Sequence, residues 1–327
     1  MISIVIPNHN KGSFIGETLD AVLNQTFTDW EAIIVDDGST DSSLSVIKDY
    51  VARDPRFVSL STVNGPVGGS GSRNQAMALA SRPYLLFLDS DDLITPTCLA
   101  DRLKAIEKSD DDFQLHPGGT FYGKIGDSPH EWHADPAANH LKQFLSHQLP
   151  WNISGPLWRT EFLRKVGGFN TALPRFQDVE LHIRALLHRP KYRIHGFKAP
   201  DFYYRISRER TAISPFGAAD REVRALPPFL TSISQAIGRT PDANHSELKR
   251  WLRGTVTSVV YSLTVKHAHE SLERTHYDEL SERVLSHDLV GEIMGDHWLG
   301  VLSTFSKHRL FRFPGVHRLT RRALIEI

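Results

Sequence analysis

Over its first hundred residues the chain alternates between short apolar runs and segments whose apolar positions recur at helical spacing. Residues 2–6 and 30–35 are almost continuously apolar and read as buried strands. Between them Phe14, Ile15, Leu19, Val22 and Leu23 share one helical face, which predicts a helix over 13–25. The same reasoning predicts helices over 42–52, 72–80 and 97–108, and strands over 57–61 and 84–88. Strands alternating with helices imply βαβ units and a mostly parallel sheet. In such a sheet the turns that follow the strands share one edge. Pro7-Asn8-His9-Asn10, Asp36-Asp37-Gly38-Ser39, Asn64-Gly65 and Asp89-Ser90-Asp91-Asp92 can therefore line one site.

The pattern changes beyond residue 110. Short segments rich in Gly, His, Trp and Pro follow, with strands predicted over 113–115 and 120–124. A helix over 160–166 stops at Gly167-Gly168, and a second is predicted over 178–188. Ser214-Pro215-Phe216-Gly217 breaks the pattern and puts a boundary within 211–221. The remainder reads as helical, with helices expected over 247–265 and 280–294.

Composition narrows the function classes. Lysine plus arginine and aspartate plus glutamate each number 38, so net charge gives no indication of a nucleic-acid partner. The 17 histidines are scattered without zinc spacing, and the single Cys98 excludes an internal disulfide framework. No signal peptide and no apolar run of spanning length is visible, so a soluble, cytoplasmic protein is expected. The tail 307–322 mixes six Lys or Arg residues with Leu310, Phe311, Phe313, Val316 and Leu319. It reads either as a terminal helix packed on the body or as a peripheral contact with the inner face of an anionic membrane.

The strongest chemical signal is Asp89-Ser90-Asp91-Asp92 at the end of the apolar run 85–88. Crowded carboxylates repel one another unless a cation or hydrogen-bond donors compensate. Such hard oxygen ligands suit Mg²⁺ or Mn²⁺ shared with substrate phosphates. The competing reading is an N-capping Asp, with Leu93-Ile94-Thr95-Pro96 leading into a helix. Asp37-Gly38-Ser39 is also ordinary turn chemistry, and Asn8 and Asn10 could cap the first helix. Arg73 could pair with Asp37, bind phosphate or be solvated. Asp178 and Glu180, two positions apart on a helix, point about 200° away from each other, so only one can serve a given site. Trp151, Trp158 and Phe169 are assigned to the core or to the wall of an acceptor pocket.

Taken in order, Ile4-Val5-Ile6-Pro7-Asn8-His9-Asn10, Val35-Asp36-Asp37-Gly38-Ser39-Thr40-Asp41, Gly71-Ser72-Arg73-Asn74, Leu88-Asp89-Ser90-Asp91-Asp92, Gly167-Gly168-Phe169 and Gln177-Asp178-Val179-Glu180-Leu181 resemble the motifs of family 2 glycosyltransferases. The resemblance covers about residues 1–210 and implies an α/β GT-A fold followed by a C-terminal helical region, 211–327. Within it, 1–105 would be the nucleotide-sugar half and 106–210 the acceptor and catalytic half.

The resemblance also implies roles. Pro7, His9, Asp37, Asn64, Arg73, Asp89 and Ser90 match positions that contact the nucleotide. Asp91, with Asp89 and Asp92, matches the holder of Mn²⁺ or Mg²⁺, and Asp178 matches the general base. The implied partners are a nucleotide diphosphate sugar, a UDP-sugar first, and a saccharide or lipid-linked acceptor of cell-surface polysaccharide or glycolipid synthesis. Three positions depart from the pattern: His9 stands for Tyr, Gln177 for Glu, and Ser207 for a His that meets metal or phosphate. The alternatives are a nucleotide-sugar-binding module without turnover, and a nucleotidyltransferase, for which only Lys11-Gly12 approaches the expected basic loop.

Overall fold

The computed structural model describes residues 1–62, 65–196, 199–206, 214–241, 244–268 and 272–307. The chain divides into two compact units, Met1–Ala138 with Pro150–Thr171 and His188–Ser207, and Asn139–Leu149 with Ala172–Leu187 and Arg208–Ile327.

The first unit holds the strands β1 (Ile2–Asn8), β2 (Trp30–Asp36), β3 (Phe57–Ser61), β4 (Tyr84–Phe87), β5 (Leu93–Ile94) and β6 (Phe113–Leu115). It continues with β7 (Gly118–Phe121), β8 (Glu131–Trp132), β9 (Pro156–Arg159), β10 (Tyr192–Ile194) and β11 (Phe202–Arg205). A seven-stranded sheet runs β10-β6-β9-β4-β1-β2-β3, and a four-stranded one β5-β11-β7-β8. In the larger sheet β9 is antiparallel to both its neighbours while the other pairs are parallel, as the alternating pattern predicts. On one face Ile2, Ile4, Ile6, Ala32, Ile34, Leu86 and Leu88 pack against the helices Ile15–Leu23, Ser43–Arg53 and Cys98–Ile106. The β1–β2 register pairs Pro7 with Val35 and Asn8 with Asp36, which sets the first two strand-end turns side by side.

Two local expectations are corrected, and one strand is new. The third helix begins at Gly68 and not at residue 72. Its glycine-rich start reads as a loop, but the Asp37 carboxylate accepts the Val67 and Gly68 N–H groups at 2.7 and 2.8 Å, satisfying amides a helix start leaves open. Asp91 and Asp92 do not cap a helix: residues 93–94 form β5, and the next helix starts at Cys98. Strand β9 was not legible, because a four-residue run between Gly155 and the next helix gives no periodicity.

The second unit is helical among its described residues: His140–Leu145, Gln177–Leu187, Pro215–Gly238, His245–Ala268, Arg274–Leu285 and Asp288–Lys307. The single helix expected over 280–294 is two, parted at Ser286-His287. The basic segment 308–322 lies outside the described residues. No described helix is long and apolar enough to cross a membrane.

His182, wholly buried and with its ring 5.1 Å from that of Phe144, gives this unit a pH dependence. Burial lowers its pKa from 6.5 to about 3. The unfolded chain therefore takes up a proton that the folded unit refuses between those values, and acid favours unfolding. Stability is complete above pH 6.5 and should fall by about 2 kcal/mol at pH 5. Urea unfolding at pH 7 and pH 5 measures the loss, and His182→Phe should remove it; an unchanged slope in that variant would contradict the assignment.

Candidate functional site

The carboxyl ends of β1 and β2 are fastened by side chains. Asn8 Nδ2 donates to Asp36 Oδ1 at 2.7 Å, and the Ser39 amide and hydroxyl both donate to the Asp36 carboxylate. Asn10 receives the Thr40 amide at 2.8 Å and gives its own amide to Ser39 Oγ. Asn8 and Asn10 thus bridge two turns, and the first helix has Phe14 at its N-cap with no side-chain bond there. Each buried bond of this kind is worth about 1 kcal/mol net, and leaving a partner unmet costs more. The exposed His9 donates Nδ1–H to the Asp37 carbonyl at 2.8 Å, which orients its ring at the mouth of the turn.

The acidic turn after β4 shows how three carboxylates are compensated. Asp89 pairs with the Arg73 guanidinium at 2.6 Å, and its side chain is 25% exposed. Asp91 pairs with the Lys11 ammonium at 2.8 Å, with a side chain only 2% exposed. Asp92 is buried, and its Oδ1 accepts the Arg205 backbone N–H at 2.9 Å while its carbonyl accepts the Thr18 hydroxyl. Ser90 is buried beside them. The repulsion expected from the sequence is met acid by acid, with a separate donor for each.

Arg205 fixes this turn from behind. Its Nε donates to the Asp91 carbonyl at 2.8 Å, its Nη2 pairs with Glu17 at 2.7 Å, and its guanidinium lies over the Phe14 and Phe121 rings. Arg205→Met keeps the stem and removes these donors. We expect a loss of about 2–3 kcal/mol in urea unfolding, below the range for a fully buried pair because Glu17 is half exposed. A change under 0.5 kcal/mol would show the contacts to be incidental.

Arg73 sits over the Phe169 ring at 5.4 Å. Its neighbour Asn74 exchanges two hydrogen bonds of 2.8 Å with the Phe169 backbone. Gly168 has φ +70°, and a Cβ there would come within 2.7 Å of Asn74 Oδ1, so glycine is required for this approach. The Gly-Gly-Phe segment is thereby the backing of the Arg73 helix. Trp151 and Trp158 are core residues, 5% and 0% exposed.

In the second unit the first turn of helix Gln177–Leu187 separates its two acids. Glu180 is fully buried and bound by Arg184 Nε and Nη2 at 2.7 and 2.8 Å and by Ser232 at 2.5 Å. Asp178 is half-buried. Glu180 is thus spent on the fold.

The structure therefore brings Pro7, His9, Asp37, Arg73, Asp89, Ser90, Asp91 and Asp92 to the strand ends of the first unit, while Asp178 belongs to the second. Asn64 and Ser207 lie outside the described residues. Lys11, Asn74 and Arg205 were not legible as site residues, since each acts through a partner distant in sequence. Among the described residues no group of three His, Cys, Asp or Glu side chains could hold a metal ion. Asp91 nonetheless fits a hard divalent cation whose remaining ligands come from phosphate: it is a strand-end carboxylate that already holds one cation, the Lys11 ammonium. Asp92 fits less well, because its carboxylate is engaged as an anchor of the turn.

The sequence profile of glycosyl transferase family 2 matches residues 3–166, half of the chain. A poly(ribitol-phosphate) beta-glucosyltransferase of Bacillus spizizenii is 47% identical over 97 residues, 28% of this chain and 15% of that protein. A chondroitin synthase of Escherichia coli is 38% identical over 96 residues, 29% of this chain and 14% of that protein. The matched segment is thus a small part of those longer proteins. The fold is similar to S. aureus TarS 1–349 in complex with UDP, with TM-score 0.63 and 17% identity over 99% of this chain and 90% of that one. The TarS 1–349 complex with UDP-GlcNAc gives the same TM-score at 18% identity and the same coverage.

Proposed function

The chain belongs to glycosyl transferase family 2, and we propose that it moves a sugar from a nucleotide diphosphate sugar to an acceptor hydroxyl with inversion at the anomeric carbon. The observation that carries this reading is the pair of cation–carboxylate contacts at the strand ends, Arg73–Asp89 and Lys11–Asp91, beside the His9–Asp37 turn. This gives a base-binding turn, phosphate-binding cations and a hard-cation carboxylate on one sheet edge. Ligands of open α/β sheets bind at that edge.

In the reaction, the acceptor oxygen forms a bond to the anomeric carbon as the bond from that carbon to the diphosphate breaks. The electron pair leaves with the nucleotide diphosphate, and the hydroxyl proton passes to the Asp178 carboxylate. A single displacement inverts the configuration and needs no covalent intermediate. Arg73 orients the donor through its planar fork, and His9 offers a ring face to the base. Asp37 accepts from the base with the lone pairs its helix contacts leave over. Mn²⁺ or Mg²⁺ held by Asp91 with Asp89 supplies, when bound, neutralisation of charge on the leaving diphosphate. Asp92 and Ser90 shape the turn. Half-burial supports Asp178 as the base, while the Arg184 pair takes Glu180 out of contention.

A UDP-sugar is the first donor class to test, since the TarS structures of like fold hold UDP and UDP-GlcNAc. The names of the relatives support a saccharide or polyol-phosphate acceptor in cell-surface polymer synthesis. A panel of nucleotide diphosphates with Mn²⁺, read as melting-temperature shifts, tests the donor site. One nucleotide should stabilise the protein and lose that effect in EDTA. No shift with any nucleotide would remove the reading.

A further inference from the structure

Lys11 stands out in the sequence only as part of Lys11-Gly12, with nothing there to pair it with Asp91. Its backbone is held independently of its side chain: the amide donates to Ser43 Oγ at 2.9 Å, and the carbonyl accepts the Phe14 and Ile15 N–H groups at 2.8 Å. Gly12 continues this docking by donating to Asp41 Oδ2 at 2.8 Å. From that fixed turn the side chain reaches Asp91, with its ammonium 2.8 Å from Oδ2 and its own side chain 21% exposed.

A compact ammonium is strongly hydrated and stays against a nearly buried carboxylate only where the opposite charge holds it. The carboxylate it holds is the one assigned above to the divalent cation. A divalent cation bound by Oδ2, the oxygen that the ammonium occupies, would contend with it for the same site. Like charges that close exclude each other. Metal arriving alone would therefore exchange one cation for another and strand the lysine. Metal arriving with a diphosphate would give the displaced ammonium phosphate oxygens to bind.

We propose that Lys11 is a resident counter-cation of Asp91 which divalent metal must displace, so that metal and nucleotide diphosphate bind together and not separately. The inference rests on the reading of Asp91 as the metal-binding carboxylate. It adds that the same lysine suppresses metal binding by the empty protein and strengthens it once a diphosphate is present.

Titration of Mn²⁺ into the full chain, followed by the electron paramagnetic resonance signal of free Mn²⁺, tests this with and without UDP. Lys11→Met should bind Mn²⁺ alone about tenfold more tightly than the wild type, and UDP should enhance its binding about tenfold less, within the usual size of coupling between ligands. Lys11→Gln, which keeps a donor for Asp91 but no charge, should follow Lys11→Met even if the latter folds poorly. Lys11→Arg should behave like the wild type. If the wild type binds Mn²⁺ with UDP and neither neutral variant binds Mn²⁺ alone more tightly than the wild type alone does, Lys11 is only a structural partner and the inference falls while the metal reading stands. If the wild type binds no Mn²⁺ with UDP present, the reading of Asp91 falls and takes the inference with it.

Discussion

Asp91→Asn should abolish metal-dependent binding of the nucleotide diphosphate and lower transfer by about a thousandfold. The substitution keeps shape and removes the charge proposed to bind a hard cation, whose Lewis-acid contribution would be several kcal/mol. Each 1.4 kcal/mol is a factor of ten, so a thousandfold corresponds to about 4 kcal/mol. Loss of fold is a poor alternative account of such a result. The Lys11 partner is partly exposed and can return to water, and the turn keeps its Arg205 and Thr18 anchors through backbone oxygens and the Asp92 carboxylate. Calorimetric titration of UDP in Mn²⁺, with a melting curve as control, measures the effect. Wild-type affinity in the variant would remove Asp91 from the metal site.

Asp178→Asn should leave donor affinity within a factor of two and lower the turnover number about 10²–10⁴-fold, the range for losing a positioned general base. The helix should hold, because the Glu180–Arg184–Ser232 cluster that balances its buried charge is left intact. Separate measurement of donor binding and of turnover distinguishes the two roles. Full turnover in Asp178→Asn would sink the base assignment; a parallel loss of donor binding would make Asp178 a binding group.

The alternating pattern of residues 1–105 carried the strands and the parallel sheet of that stretch, though not the strand order, because doubly covered strands are apolar throughout and their ends are polar. The acids were legible for the same reason, since charge at the end of a buried strand has to be compensated; Arg73 stood out only through the family resemblance, and its partner is Asp89 and not Asp37. What the pattern hid was the identity of the compensators. Lys11 lies 80 residues from Asp91, and Arg205 lies 113 from Asp92. A lysine or arginine read alone is a surface residue by default. The helix start at Gly68 was misread because its cap is Asp37, a residue of a different turn. Strands β5 and β8, two residues each, carry no periodicity and form only by pairing with neighbours. Helical spacing says only that Asp178 and Glu180 point apart; the family resemblance picks out Asp178, and the structure adds that Glu180 is buried against Arg184.

The most direct test of the central claim is stoichiometric. The chain is incubated with Mn²⁺, the nucleotide diphosphate sugar that binds it and a saccharide acceptor, and both the released nucleotide diphosphate and the glycoside formed are counted. The account predicts one nucleotide diphosphate per glycoside, with the anomeric configuration inverted and the reaction lost in Asp91→Asn. A donor that binds tightly yet is never turned over with any acceptor, or a product of retained configuration, would contradict it.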